Sequence, residues 1–235
     1  MAAESQVLVD TEKKYIAKFF SDASETDVKK VDISTLTWAK HTITLSGAAS
    51  PNFKIGEVLT VGAEKYLVTG FTAGASTVEV VGWDNTNKKA TAIDASSSSS
   101  DAVSGGVSGV NTRTYSSIAE QDYNVLVTKI MWITNGETVA IEWDGSDNEA
   151  YIAELAGNGS WSMPGNEWPG IPINATGDSG AVLGDIQFNT TGHGSGDSYT
   201  IIMELKKQAP GFDIPAYEEN QFLGYPVDFA LGNFT

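Results

Sequence analysis

Cysteine is absent from this chain of 235 residues, and histidine occurs only twice, at His41 and His193. The lack of cysteine excludes disulfide bonds, thiolate metal ligands and a cysteine nucleophile, and it fits folding in a reducing cytoplasm. Two histidines are too few for a histidine-rich zinc site and leave few candidates for a histidine-dependent enzyme. These absences narrow the metal and enzyme chemistry open to the chain, and we expect no metal site and no cofactor.

Basic residues are also scarce. The chain has 14 Lys and Arg against 30 Asp and Glu, a formal net charge of −16, and Arg113 is its one arginine. Proteins that follow a phosphate backbone need clusters of Lys and Arg, and anionic membranes attract basic segments. Long apolar runs are missing, and Met1–Gln6 lacks the cationic and apolar parts of a secretory signal. We expect no direct nucleic-acid binding and no membrane association.

The segments that remain have the texture of β-strands. Short runs of β-branched and aromatic residues alternate with polar ones and end at Gly, Asn or Ser, and glycine reaches 24 residues. No helical pattern separates the runs, so parallel crossover units are not expected. The prediction is an all-β fold, an antiparallel β-sandwich of jelly-roll type. A helix over residues 12–20 is an alternative, but no capping residue frames it.

Composition divides the chain into four parts. Residues 1–35 and 110–207 are predicted to form the sandwich core. Residues 36–94 carry four or five short strands at roughly ten-residue spacing, which predicts an inserted small β subdomain, either a meander or a barrel. Residues 95–109 are rich in Ser and Gly and read as a linker. Within the core, Asn135-Gly136 lies between two β runs and predicts a tight hairpin turn.

The last segment, residues 208–235, is predicted to be an extended C-terminal arm. It holds three prolines, which interrupt helix and strand, and six aromatic residues at irregular spacing, whereas disordered tails are poor in aromatics. We expect the arm to bind a neighbouring subunit, and docking on its own domain is the alternative. The predicted partner-binding residues are Phe212, Tyr217, Phe222, Tyr225, Phe229 and Phe234.

One motif resembles a serine protease. Gly177-Asp-Ser-Gly180 contains the core of the trypsin-like nucleophile signature, and His41 precedes Ser179 as the order of that triad requires. The next residue is Ala181 where that signature has a second glycine, and no aspartate is placed to orient the histidine. A turn-rich loop explains the motif more simply.

Two further constellations have alternative interpretations. Asp144, Asp147 and Glu149 could chelate calcium, but a solvated hairpin turn explains them equally well. Trp143 beside Asp144 would suit a carbohydrate platform, although a tryptophan at a strand position is more often a packing residue. His193 lies in a Gly-rich turn, where we expect a structural bond to backbone rather than a functional role.

Several strings resemble those of small virion structural proteins of tailed phages, of the marine and cyanophage type. The opening around Val9–Tyr15 and Asp27–Asp32 is similar to the start of these proteins, and the middle from Ile55 to Asp84 resembles a β module found in phage structural proteins. The strings in the C-terminal half are Ile130–Ile133, Ile141–Asp144, Gly157–Trp161, Gly184–Phe188 and Thr191–Ile202.

The resemblance implies a β-sandwich particle component without catalytic residues. The expected function is that of a capsid decoration, or cement, protein located in the virion after synthesis in the host cytoplasm. Its partners would be the major capsid protein, other virion subunits, or further copies of itself. The alternatives are a structural protein of the neck or tail and a receptor- or glycan-binding module.

Overall fold

The computed structural model describes residues 4–46, 53–72, 74–93, 102–104, 114–120, 123–144, 150–163, 170–172, 184–208 and 211–212. In these residues every sheet ladder is antiparallel, and the one helical element is a single 3₁₀ turn, Ile33–Thr35. The predicted all-β, antiparallel fold class is confirmed, and a strand, Lys14–Ser21, stands in place of the alternative helix over residues 12–20. The chain forms two compact units, the first from described residues up to 36 and from 123 to 212, the second from those between 37 and 120.

The first unit is built on an eight-stranded sheet. Its strands are β1 (Glu4–Asp10), β2 (Lys14–Ser21), β3 (Val28–Val31), β11 (Asn124–Trp143), β12 (Ala150–Ser162), β13 (Ile171–Pro172), β14 (Ile186–Thr191) and β15 (Ser198–Gln208). The order is β1-β2-β15-β11-β14-β3, with β12 and β13 also paired to β11. β1 pairs with β2 alone among the described strands, and its Val7 and Leu8 are 56% and 47% exposed.

This sheet is strongly curled, so that its two halves face each other across one core. Strands β2 and β14 are separated by two others in the sheet order, yet the rings of Phe19 and Phe188 lie only 5.2 Å apart in an edge-to-face contact. Tyr199 adds a second such contact with Phe188 at 5.9 Å. Strands spaced about 4.8 Å apart in a flat sheet could not bring these rings together. The curled sheet thus supplies both layers of a sandwich.

The bend lies at Asn135-Gly136, and the predicted hairpin at this site is wrong. β11 continues as one strand of 20 residues from Asn124 to Trp143. Along one edge it pairs first with β15, up to Asn135, and then with β14, from Thr138. Along the other edge it pairs with β12 on both sides of the bend. Gly136 takes φ +80°, so the glycine supplies the corner of a folded sheet rather than a chain reversal.

The second unit is a seven-stranded sheet. Its strands are β4 (His41–Leu45), β5 (Val58–Val61), β6 (Glu64–Phe71), β7 (Thr77–Asp84), β8 (Lys89–Thr91), β9 (Val103–Ser104) and β10 (Tyr115–Glu120). The order runs from β10 through β4, β7, β6 and β5 to β9, with β8 on β7. A bridge between Ala102 and Thr114 joins the two outer strands, so the sheet closes around a core that includes Phe53, Leu59 and Tyr66.

The boundaries differ from the sequence prediction in two places. Val103–Ser104 lies within the predicted linker, residues 95–109, but pairs with β5 as a short strand. Tyr115–Glu120 lies within the part assigned to the sandwich core, but it pairs with β4 and belongs to the second unit. Cross-strand pairing over more than 40 residues decides both cases, and composition does not report it.

Candidate interaction face

The outward side of strands β2, β15 and β11 carries the most distinctive surface of the first unit. The strand registers align three rows of residues across this side, and we call the nine residues the outer face. They are Phe20, Thr200 and Ile133 in the first row, Lys18, Ile202 and Met131 in the second, and Ile16, Glu204 and Lys129 in the third. Each alternates along its strand with a buried residue, so all nine point away from the core.

Five of the nine residues are apolar. Ile133 is 63% exposed and Met131 is 40% exposed, whereas their strand neighbours Ile130 and Thr134 are buried. A groove of about 640 Å³ runs along this surface, and Met131, Ile133 and Ile202 line it together with residues of β12. Directly paired residues on neighbouring strands lie about 5 Å apart, so these side chains form one continuous patch. The outer face therefore exposes apolar area that the sandwich core does not use.

Lysines flank the patch, although the chain as a whole is strongly acidic. Lys18 and Lys129 belong to the outer face, and the exposed Lys206 extends it along β15. None of these three forms an ion pair with another described residue. Lys14 pairs with Glu204 at 2.9 Å, and Glu204 also accepts a hydrogen bond from Thr128 Oγ1 at 3.1 Å. The surface is thus cationic and apolar on a protein of net charge −16.

Beneath the sheet, the buried polar groups are paired with one another. The Glu25 carboxylate, 4% exposed, accepts hydrogen bonds from Lys30 Nζ at 2.6 Å and from the Tyr199 hydroxyl at 2.7 Å. Burial, and then the hydrogen bond to Glu25, raises the pKa of Tyr199. The phenol consequently remains a donor at neutral pH. This cluster fastens the turn before β3 to β15.

His193 has a side-chain partner rather than the backbone partner that we expected for a turn residue. Its Nδ1 lies 2.7 Å from Glu137 Oε2, and Glu137 is 5% exposed. Glu137 directly follows the Gly136 bend in β11, and His193 lies in the loop that joins β14 to β15. The pair ties this loop to the corner of the sheet.

The calcium and carbohydrate interpretations receive little support from the described residues. Asp144 lies 3.7 Å from Lys29 Nζ, and Lys29 also binds Asp185 at 2.5 Å, so a lysine already neutralises these carboxylates. Burial raises the pKa of Asp185. Asp147 and Glu149 lie outside the described residues. Trp143 is 1% exposed and packs in the core, as the packing interpretation predicts.

The protease motif is described only in part. His41 is 5% exposed in the second unit, and its Nδ1 lies 3.3 Å from the carbonyl oxygen of Ala39. Ser179 and its motif lie outside the described residues. Within the described ranges no group of three or more His, Asp or Glu side chains could hold a metal ion.

The predicted arm is described only at its start. Phe212 is 4% exposed, its ring lies 5.5 Å from that of Tyr123, and Lys207 Nζ lies 5.3 Å from its centroid. Its contacts are therefore with its own unit. Tyr217, Phe222, Tyr225, Phe229 and Phe234 lie outside the described residues.

Sequence reasoning missed the outer face. The signal was present in Ile130-Met-Trp-Ile133, where apolar residues occupy both sides of a strand that needs only one side for the core. The lysines could not be added to it from sequence, since their placement depends on the registers of β2 and β15 with β11.

No family model matches the chain, and no curated protein matches it. No helix in the described parts of the chain is long and apolar enough to cross a membrane.

Proposed function

We propose that this chain is a non-enzymatic structural protein of a tailed-phage virion, most specifically a capsid decoration protein that docks on neighbouring subunits. The observation that carries the docking role is the outer face, which presents an apolar patch beside lysines that pair with no described residue. The virion assignment rests on the sequence resemblance to phage structural proteins. A position in the neck or tail is the alternative within the same proposal.

Leaving the apolar side chains of the outer face in water is unfavourable in free energy. Burying apolar area stabilises an assembly by about 25 cal/mol for each Å², so a covered Ile133 and Met131 would each contribute on the order of 1–2 kcal/mol. Exposed contiguous apolar patches are characteristic of interaction sites. The lysines add selectivity, because they favour a partner segment that is acidic.

A surface of apolar and basic side chains suits a contact that is repeated over many subunits and involves no reaction. A single contact through the outer face is expected to bind weakly, but many copies on a symmetric shell act together through avidity. The net charge of −16 makes most of the surface of one subunit repel other copies, so that contact is confined to a region of opposite sign. Docking then depends on local attraction at the outer face rather than on overall charge.

The test is the composition of purified particles of the phage that encodes this chain. We expect quantitative mass spectrometry to find the chain in fixed proportion to the major capsid protein, and labelled antibody to decorate the head. Ile133→Asp should lower incorporation at least tenfold, because it places a charge in the apolar patch. Tyr151→Asp is the matched control, since Tyr151 is 70% exposed on β12 and lies outside the outer face.

Absence of the chain from washed particles would overturn the proposal. Antibody labelling at the neck or tail would replace the decoration role with the alternative. Equal incorporation of the two variants would remove the outer face from the proposal.

A further inference from the structure

We propose that the outer face of one copy binds residues 213–235 of a second copy. This inference deepens the proposed function by naming the partner of the outer face, and it rests on that face being a docking surface. It does not depend on where in a particle the protein lies.

The composition of residues 213–235 complements the outer face. The segment carries four acidic residues, Asp213, Glu218, Glu219 and Asp228, and no lysine or arginine. It also carries five aromatic residues, which offer large apolar area at a low cost in side-chain entropy. A segment that combines acidic and aromatic residues suits a surface where apolar side chains lie beside Lys18, Lys129 and Lys206.

Charge selects this segment over the rest of the molecule. An acidic protein repels its own copies over most of its surface, so contact between copies requires a local region of opposite sign. The outer face provides such a region, since Lys18 and Lys129 within it and Lys206 beside it pair with no described acidic group, and its one glutamate is already held by Lys14. The aromatic residues then supply burial that charge alone does not.

The path of the chain favours a neighbouring copy over the same copy. Lys207 is 4% exposed on the buried side of β15, and the Phe212 ring lies against its ammonium group and against Tyr123. The chain therefore leaves the first unit on the side opposite to Lys206 and the outer face. To reach its own outer face the segment would have to pass around the sheet. A fully extended segment of 23 residues spans up to about 75 Å, which is ample for a second molecule.

The experiment uses two variants of the full chain and their mixture. The face variant is Ile133→Asp, which keeps the segment intact. The segment variant replaces Phe222, Tyr225 and Phe229 by Ser and keeps the outer face intact. Masses are measured by light scattering and sedimentation over a range of concentrations, with circular dichroism to verify folding.

We expect the native chain to associate into a multiple of 24.9 kDa, and each variant alone to dissociate at least tenfold more readily. An equimolar mixture of the two variants should recover a two-chain species, because one intact face then meets one intact segment. Tyr151→Asp should associate like the native chain. Lys18→Glu combined with Lys129→Glu provides a second face variant that tests the charge contribution.

A native chain that remains monomeric, or association that neither variant weakens, would overturn the inference. Failure of the mixture to recover a two-chain species would also overturn it, since an intact face and an intact segment on separate chains would then not bind each other. Each result is independent of the particle composition, so this inference and the virion role can fail separately.

Discussion

Tyr15 lies on the buried side of β2 and is 6% exposed. Burial, and then the nearby Asp10 carboxylate, raises the pKa of Tyr15 to about 12. Below pH 10 the phenol is protonated in both the folded and the unfolded chain. Between about pH 10 and 12 the unfolded chain releases this proton while the folded chain retains it, so ionisation favours unfolding.

We therefore expect Tyr15→Phe to flatten the alkaline loss of stability. In the native chain this single group lowers the free energy of unfolding by up to about 1.4 kcal/mol for each pH unit above 10. Urea denaturation between pH 9 and pH 11.5 measures the slope. Tyr151→Phe serves as the control, because Tyr151 is 70% exposed on β12. Equal slopes for Tyr15→Phe and the native chain would contradict the assignment.

Among single residues, the position of Trp143 could be predicted from the sequence, whereas the partner of His193 could not. Trp143 could be read as a packing residue because its strand alternates, and the core contains it. The partner of His193 could not be read, because Glu137 is 56 residues away and meets it only through the corner of the sheet. Ion pairs of this kind depend on the fold, not on local pattern.

Among the elements, β11 determines the shape of the first unit. It pairs on both edges on each side of Gly136, and a reversal at Asn135-Gly136 would forfeit those ladders. The Asn-Gly preference for a tight turn is a local effect, whereas the pairing of β11 with β14 and β15 is long-range. The sequence therefore predicted that Gly136 takes a positive φ, but it did not predict that Gly136 forms a bend within one strand rather than a chain reversal.

Gly136, at the bend of β11, and Gly157, on the neighbouring strand β12, allow a matched pair of glycine substitutions. A Cβ on Gly136 would clash with the carboxylate of Asp197, and Asp197 Oδ2 accepts a hydrogen bond from the Gly194 amide at 2.7 Å. Gly136→Ala should thus cost about 3 kcal/mol, from backbone strain and from the displaced carboxylate. Gly157→Ala, at φ +66° with open space around it, should cost only about 1 kcal/mol. Chemical denaturation measures both values, and equal costs would contradict the role of Asp197.

On the scale of the whole molecule, each unit has its own sheet and its own buried cluster. Leu59 is fully buried in the second unit, so Leu59→Ala should destabilise that unit by about 2–5 kcal/mol through the cavity that it leaves. Hydrogen exchange should then accelerate in residues 37–120 and remain unchanged in β2, β11 and β15. Equal acceleration in both units would show that they unfold together.

Composition and periodicity predicted the all-β, antiparallel class that the structure shows. The alternation in Ser198–Gln208 marks a half-buried strand, and the closely spaced short strands between residues 41 and 91 mark the second unit. The outer face could not be predicted in the same way, since it combines residues from three strands that are far apart in the chain. Only the cross-strand registers bring Lys18, Ile202 and Met131 into one row.

The two units also differ in what they offer to another strand. The Ala102–Thr114 bridge closes the sheet of the second unit, whereas β1 pairs with β2 alone among the described strands and exposes Val7 and Leu8. An open edge of this kind is a template for fibril growth. Aggregation in concentrated stocks would therefore begin at β1, and a lysine at Leu8 would guard against it.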